Sequence, residues 1–506
     1  MHLEEVSIFP SKFPDTLHQA TQSRTIPILR EVFYHFLSNK SSMYSAASKR
    51  LVQVIAALGS AIAPFMVASL IIATPVIGTE FSADVALLGW ITASFFLVAG
   101  AFLVPFGRIA DIRGSKKVFT AGMGVYLVAA IICMFAPGMQ VLIAGRVLTG
   151  IGAAMVFGTS IALLSLVFPE KERGRALGIN IAAMFTGFGA GLLAGGAITY
   201  YASWRGIFAI VAVIAAVNLL LILSRVRGEC ELARTSDYDR FGMILFISGV
   251  LLFMYGLSGI SSLKGLAILI AGSGALAGFY LWERRCSTPL IPPALFSSGN
   301  LSHAIGANII FQGSGFGITL ILSLFLQYVY GMDPRTTGIV LLISQLLLIV
   351  LGPYCGRLSD RYPPQRVAAA GCLVNGIGML LLVGIDTSTS LLLIIVSLAM
   401  NGLGFALFMP SVVKWALIGV PREHFGILSG GTETARLIGI SLSNAIIIII
   451  FGLIMGDTQV NPENVSLFLS AAGWAVMLYA VMAFSAMVFA LRAPRDRNDG
   501  IPAHPP

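Results

Sequence analysis

Charged residues are scarce in this chain: Asp, Glu, Lys and Arg supply 11% of its 506 residues, against 57% apolar ones. Ordinary soluble domains carry roughly 25% charge, so an aqueous globule is excluded and lipid becomes the expected solvent. Cysteine is sparse too. Its five positions, Cys133, Cys230, Cys286, Cys355 and Cys372, all avoid the outward loops of the topology derived below, which excludes a disulfide framework. Of six histidines only His303 and His424 lie in the helical body. They are too few and too separate for a metal site or for the paired groups an enzyme needs. A phosphate-cradling Gly-x-x-x-x-Gly-Lys-Ser/Thr loop is missing, which excludes a built-in ATP motor. The alternating segments of about ten residues that build a membrane barrel are absent as well; Gly206 to Val217 and Ile446 to Met455 are continuously apolar.

The chain has instead fourteen apolar segments, near 53–76, 84–106, 118–136, 139–167, 175–200, 205–224, 241–260, 265–282, 302–329, 335–354, 367–385, 390–413, 426–455 and 466–491. Each approaches or exceeds the run of about 20 residues that spans a bilayer as a helix. Threaded from a cytoplasmic N-terminus, they put Arg108, Arg113, Lys116, Lys117, Arg173, Arg175, Arg284, Arg285, Arg357, Arg361, Arg366, Lys414 and Arg422 on one side. The other side receives only Arg205, Lys264 and Arg335. Positive residues resist translocation, so the first side is expected to be cytoplasmic and both termini with it. The formal charge of +9 then belongs to one membrane face and implies no nucleic-acid partner.

Residues 1–50 contain Pro10, Pro14 and Pro27 and no continuous apolar core. They are expected to form a cytoplasmic tail, with an interfacial helix around Ile28 to Leu37 and Met43 as an alternative start; residues 493–506 read as a second short tail. An internal repeat is visible in two basic breaks. Gly107 to Lys117 reads GRIADIRGSKK and Gly356 to Arg366 reads GRLSDRYPPQR, so Gly, Arg, an aliphatic, a small residue and Asp recur in order. Parallel repeats are one way to enclose a central pathway. The expected organisation is a six-helix bundle over 51–227, an inserted helix pair over 228–290, and a second six-helix bundle over 291–492.

Three stretches carry chemistry. In the first break Gly107 and Gly114 allow tight turns, Asp111 can accept hydrogen bonds from arginines or a helix N-terminus, and Arg113, Lys116 and Lys117 suit an anionic leaflet. Gly356, Asp360 and Arg361 repeat the pattern. In the fourth segment Arg146 precedes Gly150 and Gly152. A charge inside a spanning helix costs about 2.5 to 3.5 kcal/mol on insertion scales, so Arg146 either faces the protein interior or snorkels to the interface. Along the fifth segment Gly178, Gly187, Gly191, Gly195 and Gly196 clear side chains from one stripe and permit close helix approach. Trp204 fits an interfacial aromatic anchor.

Further polar points lie in the second half. Glu433 and Arg436, three apart, share a helical face and form either an acid–base pair or a structural ion pair. Asn308, Gln312, Gln345 and Asn401 must find partners in hydrocarbon, from a central cavity or from neighbouring helices.

Over roughly residues 51–492 these motifs resemble the fourteen-helix drug:proton antiporter branch of the major facilitator superfamily. The resemblance implies an all-α integral membrane protein of two six-helix bundles plus two inserted linker helices, in the cell membrane. It implies gating by the loops at Asp111 and Asp360, and a part for Arg146 in proton coupling. The implied activity is export of amphipathic or drug-like molecules by proton antiport, without a cofactor, metal or catalytic residue, by a monomer whose partners are a small-molecule substrate, protons and membrane lipid. The chain departs from the family pattern in three places: Ile112 stands where the first loop has Arg, Leu192 where the helix-5 motif has Pro, and helix 1 carries no acid between Phe65 and Pro75. The alternative is proton-coupled or facilitated transport of sugars or organic anions, with Arg146 as counter-charge.

Overall fold

The computed structural model describes residues 46–226, 239–260, 262–286, 290, 299–418, 425–456, 458, 460 and 464–493. The helix expected near Ile28, together with Cys230 and His424, lies outside the described residues.

Fourteen helices cross the described structure. They are α1 (Ala46–Phe81), α2 (Val85–Arg113), α3 (Ser115–Met134), α4 (Met139–Val167), α5 (Glu170–Tyr201), α6 (Arg205–Arg225), α7 (Arg240–Ser258) and α8 (Leu263–Glu283), then α9 (Gly299–Val329). The series closes with α10 (Pro334–Arg361), α11 (Pro364–Leu380), α12 (Leu391–Ala416), α13 (Phe425–Met455) and α14 (Val465–Leu491). Thirteen are long and apolar enough to cross a membrane. The fourteenth, α11, has 17 residues, about 26 Å of helix, prolonged by a turn at 381–384.

Most helices outrun their apolar cores. The first, expected at 53–76, runs Ala46–Phe81, because backbone hydrogen bonding continues after the side chains turn polar. Caps mark where helices begin: Asp84 accepts from the Leu87 N–H at 2.6 Å, Asp239 from Gly242 at 2.8 Å and Ser262 from Gly265 at 3.0 Å. Each cap satisfies one of the N–H groups orphaned at a helix start. Between α2 and α3 the chain reverses on Gly114, at φ 95°. A side chain is strained in that conformation, which accounts for the glycine expected there.

The two halves pack alike. In the first, α1 lies on α5 and α6, α2 on α4, and α3 on α4 and α6. Eight helices later, α9 lies on α13 and α14, α10 on α12, and α11 on α12 and α14. Between the halves run two seams, α2 against α13 and α5 against α10. The inserted α7–α8 hairpin is not suspended between the halves. Its α7 lies along the first seam, where Met243, Phe246, Val250 and Met254 share a buried cluster with Leu97, Ala101 and Phe102 of α2 and Ile438 of α13.

Candidate functional site

The site is the wedge between the halves, and its two ends differ. Call the end bearing the loops at Arg108 and Arg357 the basic end. At the opposite end, α9 is tied to α1 by three side chains. Pro75 lies inside α1 and has no N–H to offer the Ile71 carbonyl one turn back. Ser323 Oγ donates to that carbonyl across the wedge at 2.9 Å. Gln327 Nε2 donates to Ile72 O at 3.0 Å and the Tyr328 hydroxyl to Pro75 O at 3.0 Å. The seams close here too. A Cβ on Gly196 would lie 2.6 Å from Pro334 O, and one on Gly89 2.8 Å from Ile448, so helix approach at this end depends on glycine.

Below this closure α9 breaks. Its helix stops at Gly315 and resumes at Ile318, and the polar groups freed by the break find side-chain partners. Gly317 N–H donates to Ser443 Oγ at 2.9 Å, and Asn401 Nδ2 reaches Gly315 O at 3.4 Å. Non-helical backbone at membrane depth is tolerated only when so satisfied. The break turns Phe316 into the wedge, edge-on to Phe96 of α2 at 5.1 Å and Phe188 of α5 at 6.2 Å. An aromatic group from one half thus meets two from the other and roofs the space beneath.

Toward the basic end the halves part. A Cβ added at Gly107 of α2, Gly178 of α5, Gly352 of α10 or Gly430 of α13 would meet no atom within 4 Å. The loops expected to gate lie at this end. Arg113 and Arg361 occupy the last turns of α2 and α10, where cations suit the helix dipole. Lys116 Nζ donates to Val226 O at 2.6 Å, fastening the start of α3 to the end of α6. Asp360 accepts from Lys414 Nζ at 2.8 Å, and the same ammonium donates to Ser359 O at 2.6 Å. Sequence reasoning placed Lys414 only among the basic residues of this face and missed its pairing with Asp360.

Arg146 points inward and does not snorkel. Its residue is fully buried, Nε donates to Ile91 O at 3.0 Å, and the guanidinium lies 4.7 Å from the centre of the Phe95 ring. Nη1 and Nη2 have no hydrogen-bond partner among the described residues, nor has the buried Tyr126 hydroxyl. Glu433 and Arg436 form a two-pronged ion pair, with Nε to Oε2 at 2.8 Å and Nη2 to Oε1. It is half-buried, and beside it Asn308 Nδ2 donates to Thr432 O at 2.9 Å.

The four amides all donate to protein. Besides Asn308, Gln312 donates to Met409 Sδ at 3.3 Å, Gln345 spans the seam to Phe185 O at 3.5 Å, and Asn401 donates to Asn375 Oδ1 at 3.0 Å. Asn308 Oδ1 is buried with no hydrogen-bond partner among the described residues. The helix-5 glycines divide their work. Gly187, Gly191 and Gly195 lie against the α1 backbone at Ala61, Phe65 and Ser69, Gly196 lies against α10, and Gly178 touches neither. Trp204 does not project outward as an anchor: it is buried, donates to Glu80 Oε2 at 2.6 Å, and packs edge-on with Phe81 and Phe208. Glu80 also pairs with Arg205 at 2.7 Å, and this carboxylate lets the indole sit inside.

The α9 break and the Pro75 carbonyl were missed from sequence. A signal for the first exists in Gly313, Gly315 and Gly317, alternate glycines inside an apolar run. The second needs a partner 252 residues away, which no local pattern encodes.

Among proteins of known kind, the chain is 30% identical over 382 residues to the multidrug resistance protein Stp of Mycobacterium tuberculosis, covering 74% of this chain and 71% of that one. It is 24% identical over 461 residues to the riboflavin transporter RibZ of Clostridioides difficile, covering 90% and 99%. The fold matches that of the xylose transporter XylE from E. coli in a partly occluded, inward-open conformation, with a TM-score of 0.61 at 14% identity, over 88% and 98% of the two chains. The family described as Major Facilitator Superfamily matches residues 56–444 and again 303–504. The paired halves with a wedge between them, and the match over most of the sequence, have one meaning: the chain belongs to the Major Facilitator Superfamily, in the branch of its multidrug-resistance relatives, and is a multi-pass membrane transporter of small molecules rather than an enzyme.

Proposed function

We propose that this protein exports amphipathic or drug-like small molecules by alternating access, with protons as the coupling ion. The observation that carries the reading is the wedge itself, shut by α1, α9 and both seams at one end and open at the basic end. Basic residues mark the cytoplasmic face, so the state described here receives substrate from inside the cell. Rocking of the bundles, taken as 51–227 and 291–492 with 228–290 inserted, then delivers it outward, driven by unequal binding to the two states. The loops at Asp111 and Asp360 gate the movement. Phe96, Phe188 and Phe316 offer an aromatic roof suited to apolar substrates. The similarity to Stp, a multidrug resistance protein, supports the substrate class.

With no acid between Phe65 and Pro75 of α1, proton coupling falls to Glu433 and Arg436, the half-buried pair on α13, with Arg146 as a fixed charge. A second reading has its own observation. Arg146 keeps two unpaired nitrogens inside the first bundle, a counter-charge available to an anionic or polyhydroxylated substrate, and RibZ is a riboflavin transporter. Proteoliposomes separate the readings. Export of ethidium or of the neutral dye Nile red, accelerated by an imposed pH gradient, is the expected result. Riboflavin movement with neither dye transported favours the second reading, and dye export indifferent to pH removes the proton.

A further inference from the structure

We infer that Gly178 of α5 and Gly352 of α10 are a closing pair: the contact by which the second seam zips shut at the basic end when the transporter opens the other way. The register of the seam leads to this. The two helices run antiparallel, with Gly196 against Pro334, Gly338 against Leu192 O, and Gly189 against Leu342 and Gln345. Gln345 Nε2 then reaches Phe185 O at 3.5 Å. Leu192 with Gly338 and Phe185 with Gln345 are one step of seven residues apart on each helix, about two turns. The next step pairs Gly178 with Gly352.

Here the contacts stop. A Cβ at either glycine would meet no atom within 4 Å, while Ala182, Ile181 and Ile349 in the intervening turns are exposed. Glycine inside a helix weakens it, and no cross-helix contact in this state requires one at either place; Gly352 also precedes Pro353 inside α10, where it spares the proline ring a Cβ. At the far end of the same helices glycine has a purpose, because Gly196 and Gly338 let the backbones touch. Two glycines in register at the open end supply the same approach for the other state. The first seam runs in parallel: Gly100 lies against Leu437 of α13, and seven residues on, Gly107 and Gly430 are again empty. One helix pair therefore pivots between a glycine contact at one end and a glycine contact at the other. The inference rests on alternating access, and not on the substrate or the coupling ion.

The test uses the full chain in proteoliposomes. Gly178→Leu and Gly352→Leu each place a Cβ where no other helix lies within 4 Å in the state described, although at 352 it adjoins the ring of Pro353. Gly178→Leu is expected to leave the melting temperature unchanged or higher, and Gly352→Leu is compared with Gly352→Ala to separate strain against Pro353 from the seam; in both Leu variants export of whichever dye the wild type moves falls at least tenfold, with the Ala variants in between. Gly274→Leu on α8, equally unhindered but on no seam, is the control expected to transport normally. Normal transport by both seam Leu variants overturns the proposal. Should the wild type move no dye, the export reading fails and a second measurement still decides this one. In a Gly178→Cys/Gly352→Cys protein, oxidation in the membrane should join the two peptides, identified by mass, since a disulfide needs Cα atoms within about 7 Å. Absence of the joined peptide overturns the closing pair.

Discussion

Ser323→Ala tests the closure at the opposite end, and Pro75 makes the test sharp. Ser323 and Ile71 are both fully buried, and the 2.9 Å bond from Ser323 Oγ is what the Ile71 carbonyl receives in place of the N–H that Pro75 lacks. Removing the hydroxyl strands a buried acceptor, at about 1 to 3 kcal/mol. When this end opens, water reaches the carbonyl and the penalty disappears. The conformational equilibrium should therefore move toward the opposite-end-open state by about 5- to 150-fold. Pro75→Ala restores an N–H one turn along α1, so the carbonyl no longer depends on α9. In that background Ser323→Ala should shift the equilibrium by only about 2- to 3-fold, the lower end of the roughly 0.5 to 1.5 kcal/mol of an ordinary net hydrogen bond. Spin labels at Thr79 and Arg335, at the ends of the two halves, report the populations through their distance distribution. Equal shifts in the two backgrounds would refute the argument, because the serine would then be acting on something other than the proline-freed carbonyl.

Three further outcomes follow from single contacts. Gly195→Ala puts a methyl 2.6 Å from Ser69 Cβ and should cost about 1 to 3 kcal/mol through overpacking of α1 on α5, read as a lowered melting temperature; Gly124→Ala, which meets nothing within 4 Å, should cost nothing. Glu433→Gln should abolish pH-driven dye accumulation and preserve dye exchange, and an unchanged pH dependence in the flux assay removes Glu433 from coupling. Asp333 caps α10, and hydrogen bonds from Thr336 hold its carboxyl below the ordinary value of 3.8. A depressed carboxylate stabilises the fold above its unfolded pKa and loses that contribution as pH falls through the folded value. Asp333→Ala should thus lower stability by about 0.5 to 2 kcal/mol at neutral pH, with the difference from wild type vanishing in melts run well below pH 3.8.

Much of this molecule was legible because lipid imposes strict rules. Fourteen segments, their basic side and the repeat of Gly107 to Lys117 in Gly356 to Arg366 follow from the cost of burying charge and backbone in hydrocarbon, and α2 and α10 end where those rules end them. What a glycine is for was not legible. The five do not share the single stripe expected of them: Gly187, Gly191 and Gly195 recur every fourth residue and serve α1, while Gly178 and Gly196, about five turns apart on another face, differ in that Gly196 serves α10 and Gly178 touches neither. Spacing shows only that a face is bare, and the identity of the opposing helix comes from tertiary packing.

The amides were ambiguous for a similar reason. Asn308, Gln345 and Asn401 had to find partners, and the acceptors they took are backbone carbonyls of distant helices or another amide, which hydropathy does not distinguish from a cavity. The inserted hairpin is the clearest case. Its composition marks two spans and nothing more, yet α7 lies along the α2–α13 seam and buries Met243 and Phe246 there. Of the two seams through which the wedge could face lipid, one is covered by a helix and, among the described residues, the other is not. Among the described residues, two similar bundles are therefore combined into a transporter with a single uncovered flank, formed by α5 and α10. That asymmetry comes from where the insertion docks, and no property of either repeat contains it.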